Sequence, residues 1–592
     1  MNHRINALES SVTSHEKQSA KFATFTWFTG SPRRYWFLGL VSVCLLSCIP
    51  LYLIIANGVN VPYGDEYLLS GFVKTLRTGH ASFETFWLPH NEHRILIPRV
   101  VFTILLPAIG WNSVALMLAS WSAITGAAFF LFYGFIKTFD PSKPRLWLAT
   151  VALSFLLFFS PVQRENWLWA FQLSFFLVQA GVVASLFLIS FTSMNLGIRL
   201  TTAILFAGIA SLSSAQGLMV WPALLITVAL GEDPKKQKII GLLVLFVAMV
   251  SLYTVYLIHY KTPSYGHIQL TQILREPLLP LSYFVGLLGS PLTFWIADNN
   301  LRTDRAIVAG SILLSLFAWF CYLNLRTRRR GKAAPWVGLG CFVLAFCMIT
   351  TYGRVDIGIL TGISTGRYTT HTLLLTVAIL GLGYLAFSNQ RRSESPLKLF
   401  GFSTFSLSVG ICVLFGYVDG FHKARLEHQG RLLAKKLLPF LYYFDGKTDG
   451  CVTGPFFAFW PAPNMGIFDS ALKPYTELGY VHMAKNVQFI TSPTGLKGDY
   501  LTAGNANVLT AIVSVSGEIR SESNVSPDLV FVKQKGQDKF IAATELNAEN
   551  LNNHERVYRW QLPLSAQLLI NGDKKLEIWV YNRASNAFLK VE

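Results

Sequence analysis

The chain has 592 residues, with 50 Lys and Arg against 32 Asp and Glu, a formal charge of +18 and a hydrophobic share of 52%. Only 14% of residues are charged, against about 25% in soluble domains, which excludes a soluble globular enzyme. The 45 Phe, 22 Tyr and 15 Trp likewise exclude a disordered chain.

Apolar runs of about 20 residues recur, the length that crosses a bilayer as a helix, and mean hydropathy is +0.42. They predict a polytopic α-helical membrane protein with an attached polar domain. The N-terminal tail, 1–34, is polar and carries Arg4, Lys17, Lys21, Arg33 and Arg34. The run from Tyr35 to Ala56 is too long for a signal-peptide core and no small-residue cleavage site follows it, so it reads as the first span. Eleven spans are expected, over 35–57, 113–137, 146–161, 169–191, 199–214, 217–231, 239–259, 306–325, 335–351, 368–388 and 399–418.

Loop charge tests that count. With the N-terminus in the cytoplasm, the connections 138–145, 192–198, 232–238, 326–334 and 389–398 share one side. They hold every strongly basic short loop, as the positive-inside rule requires. The C-terminal domain then lies outside. Leu281–Ala297 is apolar enough to span, but Gly289-Ser290-Pro291 breaks it, so it reads as re-entrant or lying along the membrane. Ile95–Gly110 is short and reads as a half-buried surface helix. Six of the seven cysteines lie in apolar runs, as small buried thiols do. Only Cys451 is in the polar tail, and no CxxC points to structural zinc.

The outer loops hold the unusual residues. The first, 57–99, contains Asp65 and Glu66 just after the first span, then Glu84, His90, Glu92, His93, Arg94 and Arg99. Two adjacent carboxylates cannot share a face of a regular element. One can enter a cavity while the other is bound by protein, and a carboxyl beside a low-dielectric region has a raised pKa that suits a general base or a metal ligand. Asp65 as a helix cap is the plain alternative. His90-Asn91-Glu92-His93-Arg94 is dense in hydrogen-bonding types, but two histidines at i, i+3 are a weak zinc signal, so a polar cavity lining is expected. Arg94 and Arg99 are placed to bind a lipid phosphate by paired hydrogen bonds, or simply to anchor the interface. The second outer loop, 160–172, sets Arg164 and Glu165 beside Trp167, in a pathway or an aromatic belt. Between the two short spans, 211–222 is a small-residue turn that reads as a packing turn, the alternative being that Gln216 and Trp221 face the same outer cavity. A further outer loop carries Arg354, Asp356 and Arg367, with Tyr368 following. Arg367 opens a span and needs an anionic partner there, either a phosphate or a carboxylate such as Asp65.

These pieces together resemble the GT-C superfamily of integral-membrane glycosyltransferases. The resemblance rests on Asp65-Glu66 after the first span, GDEY (64–67), HNEHRILIPR (90–99), ENWLWAFQ (165–172), the 217–222 turn and GRY (366–368), and covers 35 to about 420. It is similar to a bacterial group marked by the HNEHR-type string. The resemblance implies transfer of a sugar from a polyprenyl-phosphate carrier to an outer-face glycan or lipid acceptor, in a bacterial inner membrane. It implies that Asp65, then Glu66, acts as base or helps hold a divalent cation such as Mg or Mn. Arg367 would hold the carrier phosphate, and His90, Glu92, His93, Arg94, Arg99, Arg164, Glu165, Trp167, Arg354 and Tyr368 would line the substrate site. The chain has no WWDYG-type motif, which speaks against an Asn-linking oligosaccharyltransferase.

From about Gly420 the composition becomes ordinary. Residues 420–444 read as an amphipathic connecting helix on the membrane surface. Residues 445–592 form a β-rich exported domain whose alternating stretches predict a β-sandwich from about 500 to 592. Counting 420–592 gives 19 basic and 16 acidic residues, a net +3, which leaves +15 of the +18 in the membrane part. The positive charge therefore reflects topology and membrane lipids, not nucleic acid. A lipid or polysaccharide transporter would show polar mid-membrane positions and repeat symmetry, which the spans lack. A non-catalytic envelope scaffold would leave Asp65 dispensable.

Overall fold

The computed structural model describes residues 32–190, 193–260, 275–327, 329–388, 396–444, 472–491, 495–503, 512–521, 527–552, 555–565 and 576–592. The tail before residue 32, Arg328, the 389–395 connection and Cys451 lie outside them. The principal helices are α1 (Pro32–Asn57), α2 (Ser113–Lys137), α3 (Pro144–Phe158), α4 (Leu173–Ile189), α5 (Leu196–Ser211), α6 (Val220–Leu230), α7 (Lys235–Leu257), α8 (Leu278–Gly289), α9 (Asn299–Leu325), α10 (Arg330–Arg354), α11 (Thr369–Ser388) and α12 (Pro396–Leu437).

Among the described residues, nine helices are long and apolar enough to cross a membrane. The remaining two of the eleven expected spans fall on α5 and on the shorter helix ending in α6. The 16 residues of α5 rise about 24 Å, less than a hydrocarbon core of about 30 Å. Segment 95–110 is the short helix Leu96–Ile109. Segment 281–297 is broken where expected: α8 stops at Gly289 and a 3-10 turn, Ser290–Leu292, follows.

Burial sorts the helices. α4 and α11 are apolar all round because they are enclosed on every side, whereas α7 and α12 turn Leu243, Val247, Leu407 and Leu414 outward. Such apolar exterior faces suit lipid. α8 and α9 cross closely because neither has a side chain at the contact: a Cβ on Gly289 would lie 2.0 Å from the Ala306 carbonyl oxygen. At one end of the bundle the basic connections meet helix C-termini. Lys143 donates to the Phe387 carbonyl at 2.7 Å, Arg330 to that of Ala229 at 3.2 Å, and Arg199 pairs with Asp233 at 2.7 Å. Cations are favoured there by the helix dipole.

α12 departs from expectation. The last span and the connecting helix are one unbroken helix of 42 residues, about 63 Å long. Its far end carries the strand-rich region. Among the described residues nine strands form two sheets, β1 (Gln488–Ile490), β9 (Ala587–Lys590), β8 (Leu576–Asn582), β4 (Leu529–Gln534) and β5 (Ala542–Glu545) in one, β2 (Leu496–Ala503), β3 (Ile512–Ser521), β7 (Glu555–Ser565) and β6 (Asn547–Asn552) in the other. Val515, Ile519, Trp560 and Leu562 of the second sheet pack on Val530, Val532, Ile578 and Val580 of the first. The strand-rich region thus begins at β1, earlier than the expected 500, because the three-residue β1 joins by parallel pairing with β9. The five-stranded sheet is covered on both faces. Its Phe531, Trp579 and Phe588 share a core with Phe440 and Phe444 after α12 and with Tyr67, Val73 and Trp111 near the first outer loop. That is why LVFV reads as a continuous apolar run.

Candidate functional site

Opposite the basic end, the connections expected to lie outside enclose a cavity of about 290 Å³ lined by Asp65, His90, Asn91, Glu92, His93, Phe171, Gln172, Phe175, Ala215, Gln216, Tyr260, Thr350, Tyr352, Arg354, Arg367 and Tyr368, among others. Seven of the expected site residues meet here: Asp65, His90, Glu92, His93, Arg354, Arg367 and Tyr368.

Asp65 stands on a 3-10 turn, Gly64–Leu69, just beyond α1. Gly64 has φ +51°, and a Cβ there would lie 2.7 Å from the Trp169 ring, so the chain needs glycine to make the turn. The N-cap of this turn is Tyr63 and that of the helix after it is Leu69, so Asp65 occupies neither cap position. Its half-buried carboxylate forms no hydrogen bond or ion pair among the described residues. Burial raises it above the ordinary carboxylate range, with Arg367 opposing and Glu92 adding to the rise. Glu66 points the other way, fully buried. Ser113 donates to it at 2.7 Å, and burial pushes it up to about 7. The adjacent pair thus divides as sterics demand, and only Asp65 reaches the cavity.

The HNEHR string forms a tight turn. His90 and His93 exchange backbone hydrogen bonds of 2.7 and 2.9 Å, with Asn91 at φ +52° between them. Asn tolerates that left-handed conformation better than most residues. The turn presents Glu92 to the Arg354 guanidinium, with His93 Nε2 3.6 Å from the same carboxylate. Burial alone would raise Glu92, but His93 and Arg354 hold it below the usual range. Burial pushes His90 down to about 3 and lowers His93 as well. Both imidazoles are therefore neutral near pH 7, and the positive charge of the cavity comes from its two arginines.

Arg354 is already paired with Glu92. Arg367 has no ion pair within 4 Å among the described residues, and its Nε is buried without a partner. Four further buried atoms without partners belong to the same wall: His90 Nε2, Glu92 Oε2, Gln172 Oε1 and Thr350 Oγ1. Buried polar atoms are nearly always satisfied, so their concentration around one cavity marks a place for a polar ligand. No group of three or more His, Cys, Asp and Glu among the described residues is placed to hold a metal ion.

Six expected residues are not on the wall. Glu66 faces inward. Arg94 is spent on the carbonyls of Trp87 and Tyr256, at 2.6 and 2.8 Å, and of Ile258. Arg99 holds the Phe86 and Leu88 carbonyls. Arg94 thus ties the loop 57–99 to the end of α7, and Arg99 ties that loop to its own short helix, away from the cavity wall. Arg164 pairs with Glu427 of α12 at 2.8 Å. Glu165 packs against the Gly366 backbone, behind Arg367. Trp167 is a core residue stacked on Phe176 at 4.1 Å, not a sugar platform. Wall residues that sequence reasoning passed over include Phe175, Tyr260, Thr350 and Tyr352. They sit in or beside apolar runs, and only helix packing collects them. Comparison of the chain with family models, with curated proteins and with solved structures found no match.

Proposed function

We propose that the chain is a membrane glycosyltransferase of the GT-C kind, moving a sugar from a polyprenyl-phosphate donor to an envelope glycan or lipid on the extracytoplasmic face of a bacterial inner membrane. The observation that carries this reading is a pair in the cavity, one carboxylate, Asp65, and one guanidinium, Arg367, neither of which has an ion pair within 4 Å among the described residues, with Glu165 behind adding its charge to that of Asp65 on Arg367. Arg367 meets the donor phosphate with its planar fork of donors. As the bond from sugar C1 to the phosphate oxygen breaks, that oxygen keeps the electron pair, and Arg367 stabilises the charge that grows there. The acceptor oxygen forms the new bond to C1 and gives its proton to Asp65, whose raised pKa makes it the stronger base. Gln172 and Gln216 offer hydrogen bonds to sugar hydroxyls, and Phe171 and Phe175 give the apolar wall usual in such pockets.

The topology agrees with this. Basic residues gather at the end far from the cavity, the arrangement expected when that end faces the cytoplasm. Nine and eleven spans are both odd, so either count puts the two ends on opposite sides, and the basic connections favour the N-terminus inside and the strand-rich region outside.

The test uses the purified chain in nanodiscs with a polyprenyl-monophosphate hexose. Asp65→Asn should bind this donor like wild type without turning it over, whereas Arg367→Gln should lose binding. Wild-type binding by Arg367→Gln would overturn the phosphate assignment.

A further inference from the structure

We infer that Tyr475, on the short helical segment 472–477 ahead of β1, is a positioning residue for Asp65, which makes the C-terminal region part of the reaction site's frame and not a separate module. The inference rests on the reading of Asp65 as the base.

Among the described residues the Asp65 carboxylate has no hydrogen-bond partner, so its position follows from the turn that bears it. That turn is pinned at two points. On the near side, Trp169 Nε1 donates to the Tyr63 carbonyl at 3.0 Å, and the same indole closes on Gly64. On the far side, the Tyr475 hydroxyl donates to the Glu66 carbonyl at 2.7 Å. The first pin belongs to the membrane part, and the second crosses from residues 409 positions away.

The second pin is built for the purpose. Tyr475 is fully buried. Its ring lies 5.2 Å from Trp111 and 6.5 Å from Tyr67, which follows Glu66 in the same turn. Ser113, two residues beyond Trp111, holds the Glu66 side chain. Ring and hydroxyl therefore grip the backbone just after Asp65. An exposed ion pair, Lys74 to Glu477 at 2.6 Å, joins the same two segments at the rim. Small misplacements of a reacting group cost rate steeply, so loss of the hydroxyl should be read in turnover before it is read in donor binding.

The experiment compares Asp65→Asn, Tyr475→Phe and Tyr475 replaced by para-aminophenylalanine, each as full-length protein in membranes. The donor source is a lipid extract of the Asp65→Asn strain, in which unused donor accumulates. Tyr475→Phe keeps the ring and removes only the donor. It should lower the maximal rate per folded molecule about tenfold, the ratio for one hydrogen bond. The amount of extract giving half-maximal rate should not change, and para-aminophenylalanine, which restores a donor, should recover most of the rate. A role in stability alone predicts less folded protein at an unchanged rate per molecule, and that result overturns the inference. Should Tyr475→Phe fail to accumulate, Lys74→Ala carries the test with a two- to threefold lower maximal rate expected, and an unchanged rate overturns it. If Asp65→Asn itself transfers sugar at the wild-type rate, the assignment of the base falls first, and the role of Tyr475 with it.

Discussion

Replacing Glu66 by Gln should change how stability depends on pH, and the structure gives the sign and size. The side chain is fully buried, with Ser113 donating to one carboxylate oxygen at 2.7 Å and the other oxygen without a partner. Burial raises its pKa from 4.5 to about 7, against the lowering effect of Ser113 and of the Arg431 charge. Between those two values the folded chain keeps a proton that the unfolded chain releases. The contribution is therefore complete below about pH 4.5 and is lost as pH rises through about 7. The shift is worth about 3 kcal/mol, at about 1.4 kcal/mol per pH unit. Gln cannot ionise. Whatever its amide costs in the buried site, it costs equally at every pH. The gap between variant and wild type should thus shift by about 3 kcal/mol in favour of Gln between pH 4.5 and pH 8. Equilibrium unfolding in mixed micelles at a series of pH values measures this. Parallel profiles for the two proteins would refute the reasoning, because they would mean that Glu66 titrates normally.

Other expectations follow from the same geometry. Arg94→Met leaves the carbonyls of Trp87, Tyr256 and Ile258 without their donor. It should cost about 3 kcal/mol, seen as a lower thermal midpoint, while turnover per folded molecule stays within about twofold. Gly64→Ala must hold φ at +51° and push into Trp169. It should cost about 1–2 kcal/mol from the left-handed backbone alone, and transfer should fall more than tenfold as the turn shifts Asp65. Arg367→Gln should lower transfer about a hundredfold, the scale for losing one donor to a developing charge, with thermal stability little changed.

The ionisable residues were the most legible part of the site, because charges are scarce in this chain and those of the outer loops stand out. Asp65, Glu92, Arg354 and Arg367 lie far apart in sequence, yet all reach one cavity. Their immediate partners were not legible. Arg94 has the chemistry of a phosphate ligand, but it satisfies carbonyls of Tyr256 and Ile258 more than 160 positions away, and no local pattern announces a backbone acceptor. Trp167 sits in a charged loop, yet the turn sends it inward onto Phe176. Phe175 and Thr350 read as ordinary residues of apolar runs, since an α-helical face becomes a cavity wall only when its neighbours leave space. The same holds for the fold. Helix existence followed from hydropathy, but the composition change near Gly420 is a change of surroundings from lipid to water, and α12 runs through it without a break.

The most direct test compares the surface glycans and glycolipids of three strains by mass spectrometry: wild type, a deletion, and Asp65→Asn at equal membrane abundance. The catalytic account predicts that the deletion and Asp65→Asn lose the same sugar-sized mass. A deletion that alters the envelope, beside an Asp65→Asn strain indistinguishable from wild type, would contradict it and favour a transporter or scaffold.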